Sequence, residues 1–224
     1  MANLRKHPWV TYSLCGICII VYLFECYYAR SFNIDAVTLF HFGAVFTPWE
    51  FDLTTKLYEL PRLFLAMFVH MTPMHIFSNM AFLIIIGRLL EPIFGHIRFL
   101  LLYLCSGIIG DMLALRFSKP YTLTAGASTA LFGILVAGIL LPFLLHEPEL
   151  KSFAQSMFGL LITNVIVDFL TPSISLLGHL GGAIGGVIFG YLLRPRLLNV
   201  RFTKLTWQLL FSTLAMLIII LIFV

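Results

Sequence analysis

The chain has 224 residues, of which 60% are hydrophobic and 11% are charged, and its mean hydropathy is +1.01. A chain of this size cannot hide so much apolar surface inside one water-soluble globule, which excludes an ordinary soluble domain and indicates an integral membrane protein. The formal net charge of +4 comes from basic residues near predicted helix ends, where membrane topology and anionic headgroups explain them. No nucleic-acid partner is indicated.

Seven charge-poor apolar segments approach the length that crosses a bilayer, which is about 20 residues for a helix. In chain order they are residues 10–27, 73–90, 99–115, 126–145, 152–170, 175–193 and 205–224. We interpret the first segment as a retained helix, because no small-residue cleavage site of a signal peptide follows it. The predicted fold class is therefore an all-α polytopic membrane protein.

The lysines and arginines predict the orientation of these spans, because cytoplasmic segments are enriched in both. With the N-terminus inside, nine of the 14 basic residues fall in inside segments and five fall outside. A cytoplasmic N-terminus and, after seven spans, an external C-terminus are therefore predicted.

Residues 28–72 form a long connection on the predicted outer side. It is too polar to span the bilayer and too rich in Phe, Leu and Trp to be a solvated linker. We expect it to lie in the membrane interface, with Trp49, Phe51, Leu57 and Tyr58 turned toward lipid.

The sixth predicted span carries glycines at every fourth position, namely Gly178, Gly182, Gly186 and Gly190. Small residues at this spacing let a neighbouring backbone approach very closely, so the stripe by itself predicts tight helix packing. Packing does not explain why His179 stands at the start of the stripe.

Polar side chains inside membrane spans need an explanation, because a charge at a helix centre costs about 2.5–3.5 kcal/mol on insertion scales. The second, fourth and sixth predicted spans all enter the membrane from outside. This shared direction places four polar side chains near the outer membrane face, those of His75, Asn79, Ser128 and His179.

A serine hydroxyl becomes a good nucleophile when a base within hydrogen-bond reach takes its proton, and His179 is the candidate base for Ser128. His75 and Asn79 are four residues apart and share one helix face, where they can donate to a developing oxyanion. Thr72 and Pro73 predict that this helix begins just before His75.

Three stretches in this order resemble the rhomboid intramembrane serine proteases: residues 61–79 (PRLFLAMFVHMTPMHIFSN), 126–128 (GAS) and 179–186 (HLGGAIGG). The resemblance implies a six-helix core with Ser128 as nucleophile and His179 as general base, a dyad without a carboxylate. It also implies an oxyanion hole made by His75, Asn79 and the Ser128 backbone N–H.

Supporting roles follow from the same resemblance. Arg62 and His70 would organise the first loop, Gly126 would let the chain approach the site closely, and Phe132 would pack against the His179 ring. Gly182 and Gly186 belong to the family's glycine stripe. The implied domains are a protease core at residues 1–195, with its interfacial loop at 28–72, and a cytoplasmic connector with a seventh helix at 196–224.

The implied function is that of an intramembrane serine endopeptidase that cuts transmembrane segments of other membrane proteins near the outer face. We expect it in a bacterial plasma membrane, with the site open to the outside, the lipid bilayer and membrane-protein substrates as partners, and no cofactor or metal. Two residues depart from the family pattern: Thr129 replaces the usual Gly and is expected to narrow the substrate pocket, and Pro61 replaces a common Trp.

Several alternatives remain open at the level of sequence. Asp111 and Asp168 invite an aspartyl protease, but neither has the flanking motif, and both are expected to be hydrogen-bonded or water-exposed structural groups. A metal site formed by His70, His75 and His179 lacks a completing carboxylate or thiolate. Another alternative is an inactive rhomboid-like protein that binds or escorts membrane clients. A small transporter is a further alternative, but the sequence shows no pair of broken helices in two similar halves, as many transporters have.

Overall fold

The computed structural model describes residues 7–48, 57–171 and 175–194. Its helices, in chain order, are α1 (Trp9–Ala29), α2 (Ala36–Phe42), α3 (Arg62–Leu65), α4 (Pro73–Phe94), α5 (His96–Phe117), α6 (Ser128–Ile139), α7 (Leu141–Leu145), α8 (Lys151–Leu170) and α9 (Leu176–Leu192). Short 3₁₀ turns at Ala66–Phe68 and Pro148–Leu150 lie before α4 and α8. Strands β1 (Val45–Phe46) and β2 (Leu123–Thr124) pair in antiparallel register.

The predicted all-α membrane fold class is confirmed, and helices occupy six of the seven predicted spans. Helices α1, α4 and α5 and the unit Pro148–Leu170 are long and apolar enough to cross a bilayer, whereas α6 and α9 are apolar but shorter. The seventh predicted span, at 205–224, lies outside the described residues. The orientation of the N-terminus stays a prediction.

Helix α6 lies at the centre of the bundle. It has 12 residues, nine of them buried, and at this length it spans about 18 Å. The single helix predicted over residues 126–145 is wrong in one respect: the segment divides at Leu140 into α6 and α7. Pro142 lies in the first turn of α7, and because proline has no N–H and its ring crowds the preceding turn, it interrupts a continuous helix.

The first loop is folded rather than extended in the part that the structure describes. Asp35 caps α2 by accepting the Thr38 backbone N–H at 2.9 Å and its hydroxyl at 2.7 Å, and these hydrogen bonds lower the pKa of the Asp35 carboxyl below its usual value. Leu57 and Tyr58 are exposed. Trp49 and Phe51, also predicted to face lipid, lie outside the described residues.

The N-terminus of α1 is capped from another helix. The Glu91 carboxylate on α4 accepts the Val10 and Thr11 backbone N–H groups at 2.9 and 2.8 Å and the Thr11 hydroxyl at 2.6 Å. His96 Nδ1 contacts the same carboxylate at 2.5 Å. Since the first N–H groups of a helix have no partner within it, Glu91 satisfies them where water is scarce and ties α1 to α4.

Helix α9 packs against α5 and α6 through its glycines, as the stripe predicted. A Cβ atom at Gly182 or Gly186 would overlap the backbone carbonyl oxygen of a residue on α6, Thr129 or Gly133 respectively. On the adjoining face, a Cβ at Gly181 would lie 2.8 Å from the Ile109 carbonyl oxygen on α5. These backbone contacts fix the distance between α9 and the start of α6.

We expect Gly186→Ala to lower the stability of the protein by about 1–3 kcal/mol, because the new methyl group meets backbone that cannot rotate away. The measurement is reversible unfolding in detergent, with Gly159→Ala as the matched control. Gly159 has no atom within 4 Å of a Cβ position, so its variant should be neutral or more stable by up to about 1 kcal/mol through helix propensity. Equal stability of the two variants would contradict the packing argument.

Candidate active site

The segment that leads to Ser128 is held by the first loop. Strand β2 pairs with β1, with Val45 opposite Thr124, and the Gly126 backbone N–H donates to the Ala66 carbonyl oxygen at 2.9 Å. The chain then turns at Gly126, where φ is +123°, and Ser128 begins α6. Ser128 is half-buried, and its backbone N–H belongs to the first turn of a helix that has no side-chain cap. Within the described residues this N–H makes no hydrogen bond, so it can donate to a ligand atom.

Gly126 brings this segment against α4. A Cβ at position 126 would lie 2.6 Å from His75 Nε2 and 3.4 Å from Asn79 Nδ2. Both the positive φ and the short distances require a residue without a side chain. The structure therefore brings His75 and Asn79 against Gly126, which precedes Ser128 by two residues.

The start of α4 has the capping that the sequence predicted. The Thr72 hydroxyl accepts the His75 backbone N–H at 3.2 Å, and Pro73 is the first helical residue. The Met71 backbone N–H donates to His75 Nδ1 at 3.4 Å. In a neutral imidazole this contact leaves the hydrogen on Nε2, so His75 presents a donor beside Gly126.

Asn79 supplies a second donor at the same place. Its side chain is 6% exposed, and Nδ2 has no hydrogen-bond partner in the described part of the chain. A buried amide N–H without a partner costs about 1–3 kcal/mol. Such a group is suited to donate to an oxygen atom of a bound ligand.

His179 is held on two sides. The Phe132 ring stacks on its imidazole, with 4.1 Å between ring centroids and an interplanar angle of 15°. Asp168 Oδ2 lies 2.6 Å from His179 Nδ1. Since an ionised carboxylate can only accept, Nδ1 carries the hydrogen, and Nε2 of the neutral ring has a free lone pair.

The expectation of a histidine without a carboxylate partner is therefore wrong. Sequence reasoning considered Asp168 as half of an aspartyl pair or as a structural group, and it missed the contact with His179. A signal was present, because Asp168 and His179 lie at facing ends of consecutive predicted spans. The expectation that Asp168 is a hydrogen-bonded group is confirmed.

The start of α6 and the start of α9 are in contact. A Cβ at Gly178 would lie 3.0 Å from Thr129 Cγ2, and Phe132, which stacks on His179, follows Ser128 by one helical turn and so shares its face. Within the described residues the Ser128 hydroxyl makes no hydrogen bond to His179. Catalytic hydrogen bonds are often long in the absence of substrate and shorten when it binds.

Arg62 organises the first loop. Its side chain is buried, its Nη1 donates to the Phe40 and Ala44 carbonyl oxygens at 2.5 and 2.9 Å, and its guanidinium lies over the Phe40 ring. Glu59 Oε1 lies 3.4 Å from Arg62 Nε. Burial raises the pKa of Glu59, although the Phe46 backbone N–H and the Arg62 charge act in the opposite direction.

His70 lies between the first loop and α4 and is fully buried. Its Nδ1 lies 3.1 Å from the Phe68 carbonyl oxygen and its backbone N–H donates to Glu25 Oε2 at 3.3 Å. Its ring centroid is 5.1 Å from that of His75. In the described ranges no three His, Cys, Asp or Glu side chains converge as metal ligands would.

Thr129 and Asp111 differ from expectation. Thr129 is 2% exposed and points into the contact with α5, where a Cβ at Gly110 would lie 2.7 Å from its Cβ. Its side chain therefore packs between helices instead of lying on the exposed face beside Ser128, because one residue along a helix turns a side chain by about 100° away from its neighbour. Asp111 is fully buried and is therefore not water-exposed; its carboxyl interacts with the Thr129 side chain, in a contact too loose to be a well-formed hydrogen bond.

Comparison with known proteins gives a consistent result. Residues 57–196 match the Rhomboid domain. The chain is 31% identical over 184 residues to Rhomboid-like protease 3 of Toxoplasma gondii, which covers 80% of this chain and 65% of that protein. It is 32% identical over 167 residues to RHOMBOID-like protein 1 of Arabidopsis thaliana, covering 72% and 41%, and 28% identical over 193 residues to YdcA of Bacillus subtilis (strain 168), covering 84% and 90%.

The fold and the buried polar cluster define an all-α integral membrane protein with a polar site inside its helical bundle. The domain match covers more than half of the chain, and the chain therefore belongs to the rhomboid family. It spans 65% of the Toxoplasma relative and 41% of the Arabidopsis relative.

We expect Gly126→Ala to abolish any chemistry at Ser128, because an alanine at this φ is strained and its methyl group displaces His75 and Asn79. The measurement is the rate at which an active-site-directed fluorophosphonate labels Ser128. Gly95→Ala is the control for backbone strain alone, since Gly95 also has a positive φ but has open space around its Cβ position. Labelling of Gly126→Ala at the wild-type rate would contradict the argument.

Proposed function

We propose that this chain is an intramembrane serine endopeptidase that cleaves transmembrane segments of other membrane proteins near the outer membrane face. The observation that carries the proposal is the opposite arrangement of His75 and His179 beside the start of α6. A backbone N–H bound at His75 Nδ1 makes that ring a donor at Nε2, whereas a carboxylate bound at His179 Nδ1 makes that ring an acceptor at Nε2. A serine protease needs a base that accepts the proton of the serine hydroxyl and donors that bind the developing oxyanion, and an imidazole N–H can be one of those donors.

In the proposed reaction Ser128 Oγ attacks the carbonyl carbon of the scissile peptide, and its proton passes to His179 Nε2. The imidazolium gives that proton to the peptide nitrogen as the C–N bond breaks, which leaves an ester on Ser128. A water then loses a proton to His179 Nε2 and attacks the ester carbonyl. The proton returns to Ser128 Oγ as the new carboxyl terminus leaves.

The tetrahedral intermediate carries a negative charge on the former carbonyl oxygen. The donors available for it are His75 Nε2–H, the Asn79 amide and the Ser128 backbone N–H. All three lie in the first two turns of helices, so little reorganisation is required when the charge develops. The buried and unpartnered state of Asn79 Nδ2 supports this assignment.

A substrate helix hides its carbonyl groups in its own hydrogen bonds, so it must unwind locally before Ser128 can attack. We propose that it approaches past α8. This helix has only three buried residues, Ala154, Met157 and Asp168, and it packs on α6 with few contacts to α4 or α9. A helix held this weakly can move aside at a modest free-energy cost.

The proposed location is a bacterial plasma membrane, with a cytoplasmic N-terminus and the site open to the outside. The distribution of basic residues supports this orientation, and the relative in Bacillus subtilis is consistent with a bacterial context. We propose residues 1–195 as the protease core and residues 196–224 as a connector with a seventh helix.

A serine-reactive fluorophosphonate should label the wild-type protein at Ser128, and both Ser128→Ala and His179→Ala should lose labelling. Cleavage of a reconstituted transmembrane substrate should fall by at least about 10³-fold in each variant, because nucleophile and base act as one unit. Labelled peptides and cleavage products are measured by mass spectrometry.

Ser156→Ala, which removes an exposed hydroxyl on α8, is the control and should behave as the wild type. Persistent cleavage by Ser128→Ala would sink the assignment of the nucleophile. Wild-type protein that folds but is neither labelled nor active would favour the alternative of an inactive, client-binding rhomboid-like protein.

Asn79→Ala should reduce kcat by about 10- to 100-fold with little change in KM, because its amide binds the oxyanion and not the ground-state substrate. This loss in kcat is smaller than the roughly 10³-fold upper value for removal of a single oxyanion donor, because His75 still donates to the oxyanion. Ser78→Ala, one residue earlier and exposed, is the matched control. A rise in KM with unchanged kcat would assign Asn79 to substrate binding instead.

A further inference from the structure

A buried carboxylate joins the outer end of α8 to the start of α9. Asp168 Oδ2 and His179 Nδ1 are 2.6 Å apart, a short distance that is typical of a charge-assisted hydrogen bond. Both residues are 5% exposed. The contact is therefore shielded from competing water.

The surroundings of Asp168 make this placement significant. Its helix neighbours Val167, Phe169 and Leu170 are 48%, 72% and 77% exposed, and the outer half of α8 contributes little else to the core. An acidic side chain on a lipid-facing helix is costly. Packing does not explain an aspartate at this position, but its hydrogen bond to His179 on α9 does.

Asp111 provides an internal comparison. It is also a fully buried aspartate, yet its carboxyl interacts with the Thr129 side chain and not with a histidine. Burial alone does not bring an aspartate in this bundle to a histidine. The contact of Asp168 with His179 is specific to its position.

We propose that Asp168 is a positioning residue for His179, which extends the proposed serine and histidine pair to a third side chain on a third helix. Its carboxylate accepts the Nδ1 hydrogen and keeps Nε2 free for the Ser128 proton. When that proton arrives, the carboxylate stabilises the imidazolium without taking a proton itself. Phe132 holds the face of the ring, and Asp168 holds its edge.

This role has a consequence for α8. The carboxylate is carried by the helix that we propose moves aside for substrate, so the outer end of α8 must be next to α9 when the proton is transferred. Substrate entry thus requires α8 to move away from α9, whereas proton transfer requires Asp168 on α8 to contact His179 on α9. This inference rests on the proposed function.

The test uses the full chain in proteoliposomes and compares Asp168→Asn with Asp111→Asn. Asparagine keeps the size of the side chain but can donate to Nδ1 and so stabilise the wrong tautomer of His179. We expect Asp168→Asn to lower kcat and the fluorophosphonate labelling rate in parallel, by about 10²-fold or more. KM and the unfolding midpoint should stay near the wild-type values.

Nitrogen NMR of isotope-labelled histidine gives a readout that a structural role would not change. The signal of His179, assigned by its loss in His179→Gln, should report hydrogen on Nδ1 in the wild type and in Asp111→Asn, and hydrogen on Nε2 in Asp168→Asn. Asp168→Ala serves as a second variant that removes the acceptor altogether. It should also lose the preference for hydrogen on Nδ1.

Two results overturn the proposal: wild-type kcat in Asp168→Asn, or an unchanged His179 tautomer with activity that falls only as far as the folded fraction falls. Failure of the proposed function is distinguishable from both. In that case the wild-type protein itself is not labelled at Ser128, whatever the tautomer of His179.

Discussion

The close contact of α9 with α6 is the constraint on which the site depends. In a bilayer the apolar side chains are already out of water, so the hydrophobic effect does not drive the helices together. They associate through packing and hydrogen bonds instead. Gly182 and Gly186 let α9 rest against backbone carbonyl oxygens of α6. The position of His179 relative to Ser128 follows from that contact, because both residues lie where the two helices begin.

The first loop serves the same site from the opposite side. Arg62 binds two loop carbonyl oxygens, and the loop in turn pairs with β2 and accepts the Gly126 N–H. These contacts hold the short segment before Ser128 against His75 and Asn79. Ser128 is thus positioned by backbone interactions of the first loop on one side and by glycine packing on the other.

Much of this could be predicted from local pattern. Apolar length predicted the positions of six helices, the pair Thr72 and Pro73 predicted where α4 begins, and four-residue spacing predicted the close approach of α9. Each of these depends on residues near one another in the chain. The division of the fourth span at Leu140 and the pairing of β1 with β2 were not predicted, because the apolar run continues past Pro142 and two-residue strands have no periodic signal.

The sequence by itself determined the membrane class and the family resemblance, and it singled out the polar residues that are predicted to share one level of the bilayer. Only the tertiary structure decided what each of them touches. Whether Asp168 faces lipid or His179, and whether Thr129 faces substrate or α5, depends on helix rotation and depth. Those are set by contacts between residues far apart in the chain, and a carboxylate or a backbone N–H at one ring nitrogen then determines which imidazole can accept a proton.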